Sequence, residues 1–256
     1  MTTTQRTQLS NEQLQELLGL VKSSDSVELK LTVPETDHRS AVKSLGMDAL
    51  DAQIRQVFFF DTPELTLNNA GLVVRARRVQ GREGDTVVKL RPVVPEEVEE
   101  RYRTSPNMKV EVDAMPGGFV CSASMKGKSD NDAVKAVAAG EGKLRPLFTK
   151  EQKAFYDANA PEGLKMSALS VLGPITLLKL KFNPKGVDRR MVAEMWFYPD
   201  GSRILELSTT CPPADILEAV VQTRAILDGV GIDLSGEQQT KTKRALEFFS
   251  SKASSA

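Results

Sequence analysis

Two arginines stand two residues apart in an otherwise apolar run, Leu72-Val73-Val74-Arg75-Ala76-Arg77. Side chains alternate faces along a strand, so Arg75 and Arg77 share a face with Val73, while Val74 and Ala76 share the other. Charges in such a setting need water or an anionic partner. The same spacing recurs along the chain. Glu28 and Lys30 alternate with Val27, Leu29, Leu31 and Val33, and Lys89 and Arg91 alternate with Val88 and Leu90. Lys109, Glu111 and Asp113 form a third set, Lys179 and Lys181 a fourth, and Glu194 and Glu206 lie in two further runs. Taken singly, each is an ordinary strand with one wet face. On a sheet that closes on itself, one face becomes an interior. Charged faces turned inward would then crowd many cations and several carboxylates together, and a triphosphate chelated by a divalent cation would balance them. Which face points inward is open at this level, because an apolar-cored barrel satisfies the same alternation.

The elements that must carry these residues are mostly strands. Val57 to Phe60 reads as a buried strand ended by Asp61-Thr62-Pro63, since Asp caps turns and Pro cannot donate to a ladder. Gly71 restarts the chain into the arginine strand. Residues 192–198 and 203–208 flank Pro199-Asp200-Gly201, a hairpin turn signal. Ser10 with Gln13 predicts a capping box opening a helix over 11–22. Further helices are predicted over 37–45, 131–139 and 150–159. Another spans 214–229, with Ile216, Leu217, Val220, Val221 and Ile226 as its apolar side, and a last one runs from about 236 to 249. Between Ser122 and Gly142 the composition turns to Ala, Ser, Gly and Lys, which reads as a surface insertion. The count is about eight strands joined largely as hairpins, and that pattern points to a meander or barrel.

Bulk composition narrows the function classes. The 256 residues carry 34 Lys plus Arg and 34 Asp plus Glu, a balance that disfavours a nucleic-acid coat or a polybasic membrane patch. Cys121 and Cys211 are the only cysteines, which argues against a disulfide scaffold or zinc site and fits a reducing cytosol. No apolar run approaches the ~20 residues of a spanning helix. The polar start MTTTQRTQLS lacks a signal-peptide core, so a cytoplasmic protein is expected, with no nucleic-acid or membrane partner.

The stretch FFFDTPELTLNNAGLVVRARR (58–78) resembles the CYTH family, the triphosphate tunnel metalloenzymes, which include inorganic and thiamine triphosphatases and class IV adenylate cyclases. The family's marks are ExExK in the first strand and a Y/F-FDTP-x-L…GxxLRxRR segment. Val87-Val88-Lys89 is similar to its TVK strand, Lys109 to Asp113 to its RxExE strand, and Thr240-Lys241 with Arg244 to a C-terminal SKxxR. The resemblance is good over 27–113, looser over 176–249 and absent over 122–170. It implies an α+β fold, a closed antiparallel eight-stranded β-barrel or tunnel with flanking helices. Residues 1–24 would form an N-terminal extension, 25–250 one tunnel domain with an insertion at about 122–170, and 251–256 a disordered tail. It further implies a hydrolase acting on tripolyphosphate or an organic triphosphate with Mg2+ or Mn2+. Glu28, Glu111 and Glu206 would be metal ligands, and Asp113 and Glu194 further carboxylates of the set. Lys30, Arg75, Arg77, Lys89, Arg91, Lys181 and Lys241 would grip phosphate, with Glu28 and Lys30 at the chemistry. Two positions depart from the family: Ser26 replaces the leading Glu of the first motif, and Ser208 stands where a second acid often follows Glu206. A non-catalytic triphosphate or polyphosphate binder, or an adenylate cyclase, are the alternatives.

Three other signals carry less. Gly127-Lys128-Ser129 ends like a P-loop but lacks the leading Gly and the strand before it. His38, the sole histidine, sits in a polar stretch and is expected in a surface loop. Trp196 is expected to be a packing residue.

Overall fold

A computed structural model of the chain describes residues 10–185, 188–232 and 241–253. The chain opens with α1 (Asn11–Ser23), started by the expected Ser10/Gln13 capping box, and β1 (Ser26–Val33). Next come α2 (His38–Ser44), β2 (Gln53–Asp61), α3 (Thr66–Asn69), β3 (Leu72–Val79) and β4 (Gly84–Leu90). They are followed by α4 (Glu100–Arg103), β5 (Met108–Met115), β6 (Gly118–Ser129), α5 (Asn131–Ala138) and α6 (Lys150–Asn159). Finally β7 (Ser170–Phe182), β8 (Met191–Phe197), β9 (Arg203–Cys211), α7 (Ile216–Gly229) and α8 (Lys241–Ala253) complete it.

The strands close in the order β1-β5-β6-β4-β3-β2-β7-β8-β9. The barrel is closed and flanked by helices, as expected, but it has nine strands rather than eight and is mixed rather than antiparallel. The ninth strand is β6, which covers residues 122–129 of the stretch read as a surface insertion. Its outward side is Cys121, Ala123 and Met125, and its inward side Ser122, Ser124 and Lys126. Small residues on both faces flatten the hydrophobic alternation that marks a strand. The parallel pair is β1 with β5, in register Ser26 to Glu111 and Glu28 to Asp113. The last helix runs to Ala253, into the stretch read as tail; Thr240 and residues 236–239, read as that helix's start, lie outside the described residues.

The apolar side of most strands faces outward, because helices cover it. Val27, Phe58, Phe60, Val74, Val88, Val110 and Met125 pack with residues of α1, α3, α5 and α6 in one cluster. Leu31, Leu180, Ala193, Leu205 and Leu207 pack with residues of α2 and α7 in another. Burying each such aliphatic side chain contributes about 1.5–3 kcal/mol. In α7 the buried residues are Ala219 and Leu227, while Leu217 and Val221 of its predicted apolar side stand exposed. His38 is buried rather than in a surface loop, with Nε2 against the Val33 carbonyl at 3.1 Å. Among the described residues no helix is long and apolar enough to cross a membrane.

Two local devices shape the walls. Buried Asp61 accepts from the backbone N–H groups of Thr62, Leu67 and Asn68 at 2.7, 2.8 and 2.9 Å, which anchors the single turn α3 between β2 and β3. Gly71 has φ +78°, and a Cβ there would lie 2.4 Å from the Arg91 carbonyl oxygen. Only glycine therefore lets the start of β3 close on the end of β4.

Candidate functional site

With the apolar faces under helices, the alternate residues face the bore. Directly opposed residues on paired strands share a face, so the inward set can be read around the ring. Lys179 opposes Glu194, Glu194 opposes Glu206, and Lys30 opposes Ser208. Arg55, Val57 and Phe59 oppose Val79, Arg77 and Arg75, and Arg77 opposes Asp85. Contacts between non-adjacent strands confirm the interior: Lys89 of β4 reaches Asp113 of β5 at 3.5 Å although β6 lies between them. One end of the bore is apolar. There Phe59, Val73, Trp196 and Ile204 pack with Ala245 and Leu246 of α8.

One wall is organised by lysine–carboxylate pairs. Lys30 Nζ lies 3.1 Å from Glu28 Oε2 and 2.9 Å from Asp113 Oδ1. Burial alone would depress its pKa, but Asp113, Glu28 and Glu206 together raise it well above the ordinary lysine value. Burial would likewise lift the Asp113 pKa, and Lys30 and Lys89 instead hold it below the ordinary aspartate range. Lys241, at the start of α8, lies 2.7 Å from Glu206 and bridges it to Glu194, which Lys179 also meets at 2.8 Å. These lysines overcome the effect of burial and hold Glu194 well below the ordinary glutamate pKa. Glu111 pairs with Lys109 and accepts from the Ser26 hydroxyl at 3.1 Å.

The opposite wall is arginine-rich and short of acids. Arg77 has Asp85 at 2.8 Å. Arg75 has no carboxylate within ion-pair distance among the described residues, and its buried Nε finds no acceptor there. Burial, with Arg77 alongside, pushes its pKa down to about 9. Burial also lowers Lys89 and Arg91, with Asp113 opposing the change in both.

Of the residues expected at the site, Glu28, Lys30, Arg75, Arg77, Lys89, Glu111, Glu206 and Lys241 all face the bore. Arg91 stands at the end of β4, within the influence of Asp113. Lys181 lies near the end of β7 and is exposed, outside the ion-pair network. The three carboxylates expected as one metal set fall into separate groups: Glu28 with Lys30, Glu111 with Lys109, and Glu206 with Lys241. Among the described residues no three His, Cys, Asp or Glu side chains come together as a metal-holding cluster. Three bore residues went unread in the sequence. Arg55 and Asp85 lie one or two residues outside the strand bounds drawn for β2 and β4, and Lys126 lies in the unread β6. For Asp85 a signal was present, since it shares the Lys89 face of its strand; Arg55 shares its face with apolar Val57 and Phe59, and no alternation marks it.

No family model and no curated protein matches the chain. Solved structures match it in fold. A candidate adenylate cyclase from Bacillus halodurans superposes with a TM-score of 0.59 at 14% identity, over 86% of this chain and 97% of that one. A candidate adenylyl cyclase from Hippeastrum, whose dominant activity is that of a triphosphatase, gives 0.57 at 14% identity over 85% and 94%. At such identities the likeness is one of fold.

Proposed function

We propose that this chain, which has the triphosphate-tunnel (CYTH) fold, is a phosphohydrolase that binds tripolyphosphate or an organic triphosphate in its bore. The observation that carries this reading is Arg75, half-buried in the bore wall, whose buried Nε has no acceptor among the described residues. A buried donor left without an acceptor costs about 1–3 kcal/mol, and a phosphoryl oxygen would remove that cost. Arg75 and Arg77 suit phosphate because the guanidinium fork donates two parallel hydrogen bonds, while Lys30, Lys89 and Lys241 act as point charges. Hydrolysis of an anhydride then asks the protein mainly for positioning and for stabilisation of charge in the transition state. The position of Lys30 between Glu28 and Asp113 in a confined interior supports giving it this role.

Glu28 with Asp113, and Glu206 with Glu194, are the carboxylate pairs that would hold Mg2+ or Mn2+; Glu111 is a further oxygen ligand. Their chemistry fits, since hard cations take carboxylate oxygens and each pair already gathers an ammonium group. The ion, when bound, supplies phosphoryl charge neutralisation and a more acidic water.

A second reading has an observation of its own. Where the family carries acids, Ser26 donates to Glu111 and Ser208 opposes Lys30, which leaves the carboxylates dispersed. On that reading the chain grips triphosphate without turning it over. Phosphate release from tripolyphosphate, thiamine triphosphate and ATP, with Mg2+ or Mn2+, separates the two. Release from tripolyphosphate is expected. Calorimetric binding with no release from any of the three favours the binder, and pyrophosphate release from ATP would mark a cyclase. Unchanged tripolyphosphate affinity in both Lys30→Ala and Arg77→Ala would remove the tunnel assignment.

A further inference from the structure

Arg55 is 4% exposed, yet no carboxylate lies within ion-pair distance of it among the described residues. Its hydrogen-bond acceptor there is the neutral Gln53 Oε1, at 3.1 Å from Nε and 2.8 Å from Nη2. Buried arginines are almost always paired with an acid. The register explains its surroundings. Arg55 faces the bore two residues before Val57, which opposes Arg77, and four before Phe59, which opposes Arg75. On its other side it opposes Leu177, two residues from Lys179. It lies toward the barrel edge where β2 and β4 begin and β3 and β7 end, bordering through Leu177 and Val57 the apolar cluster closed by α8. Burial and the neighbouring Arg77 push its pKa down to about 10, and the more distant Glu194 and Asp85 offset this only in part.

We propose that Arg55 is a phosphate-binding residue, the third guanidinium of a subsite with Arg75 and Arg77 that takes the doubly charged terminal phosphoryl group of a condensed phosphate. The inference rests on the triphosphate-binding reading above and goes beyond it in naming the group recognised. A terminal phosphoryl group carries more charge than an internal one, and three guanidiniums against the two nearby acids Asp85 and Glu194 leave a net positive site for it. Gln53 holds the Arg55 fork by its Nε edge and leaves Nη1 to the ligand.

The test is a pair of variants, Arg55→Gln and Arg55→Lys, each titrated with tripolyphosphate by calorimetry and melted without ligand. Losing a charge-assisted bond to phosphate should weaken binding roughly ten- to hundredfold in Arg55→Gln, with Arg55→Lys intermediate. Without ligand, Arg55→Gln should melt no lower than the wild type, because it removes a buried, repelled charge. A structural arginine would give the reverse pattern, a lower melting temperature with affinity unchanged. That pattern overturns the role of Arg55 while leaving wild-type binding intact. A wild type that does not bind tripolyphosphate overturns the underlying reading and this inference together.

Discussion

On the side of the bore formed by β1, β5, β8 and β9, lysines and carboxylates satisfy one another. Lys30 rests on Glu28 and Asp113, Lys109 on Glu111, and Lys241 on Glu194 and Glu206. On the side formed by β2, β3 and β4, Arg55 and Arg75 have no ion-pair partner among the described residues, and Asp85 is in ion-pair contact with Arg77. The pKa directions follow this division. Acids raise Lys30 and Lys241 against the effect of burial, whereas burial and neighbouring cations lower Arg55 and Arg75. One wall is therefore electrostatically complete as folded, and on the proposed reading a bound triphosphate completes the other. The same kind of substitution should have opposite consequences on the two walls.

The largest expected effect is on the complete wall. Lys30→Ala leaves Glu28 and Asp113 facing each other, with only Lys89, at 3.5 Å, to answer Asp113. Removing one partner of a buried pair costs about 3–5 kcal/mol, and the lower end applies because Lys30 keeps a fifth of its side-chain surface accessible. Urea denaturation without ligand should show a loss of about 3 kcal/mol. A loss below about 1 kcal/mol would mean the wall is not held by this pair.

Arg75→Gln should behave in the opposite sense. Its unliganded stability should equal or exceed that of the wild type, since a half-buried cation beside Arg77 with an unsatisfied buried Nε is removed. Its tripolyphosphate affinity should fall by about 1.5–3 kcal/mol, roughly ten- to hundredfold, when measured by calorimetry. If Arg75→Gln instead unfolds more readily and binds normally, the contrast between the walls collapses.

The sequence made much of this legible, for identifiable reasons. Arg75, Lys30 and Lys89 were readable because large aliphatics flank them, so their alternation stands out. The Asp61-Thr62-Pro63 turn was readable because its geometry is local: one carboxylate binds three nearby backbone N–H groups. β6 was hidden because its middle, Cys121 to Ser124, is small on both faces and leaves little contrast. The inward direction of the charged faces was not local information at all. It depends on which face the helices cover, and that follows from tertiary packing of residues such as Val134 and Phe155. The separation of Glu28, Glu111 and Glu206 into different ion pairs depends in the same way on Lys109 and Lys241 arriving from elsewhere in the chain.

Acid should affect the complete wall through Glu194. Its folded pKa lies below its ordinary value of 4.5, so the stability it contributes is fully present above that pH and is lost as pH falls through the lower folded value. Comparing urea midpoints at pH 7 and pH 3, the wild type should lose stability on acidification. Glu194→Gln, which has no carboxylate to titrate, should lose less over the same interval. Equal acid losses in the two proteins would show that the lysines do not stabilise the Glu194 carboxylate.

The smallest effect sharpens the comparison at its weakest point, the position where the complete wall has a hydroxyl in place of an acid. Ser26 is buried and opposes Glu111 across the parallel β1–β5 ladder, donating to it at 3.1 Å. Ser26→Glu replaces that donor with a like charge directly opposite a carboxylate, which should cost up to about 1 kcal/mol of stability without metal. Added Mn2+ should reverse the sign, because two opposed carboxylates are a better oxygen site than one carboxylate already held by Lys109. The measurements are the melting temperature with and without Mn2+ and phosphate release from tripolyphosphate. A Mn2+-dependent rise in both would locate the shortfall of the complete wall at Ser26. A variant that is destabilised and gains neither would show that a carboxylate at this position cannot recruit the ion, and would shift the weight toward a protein that holds triphosphate without cleaving it.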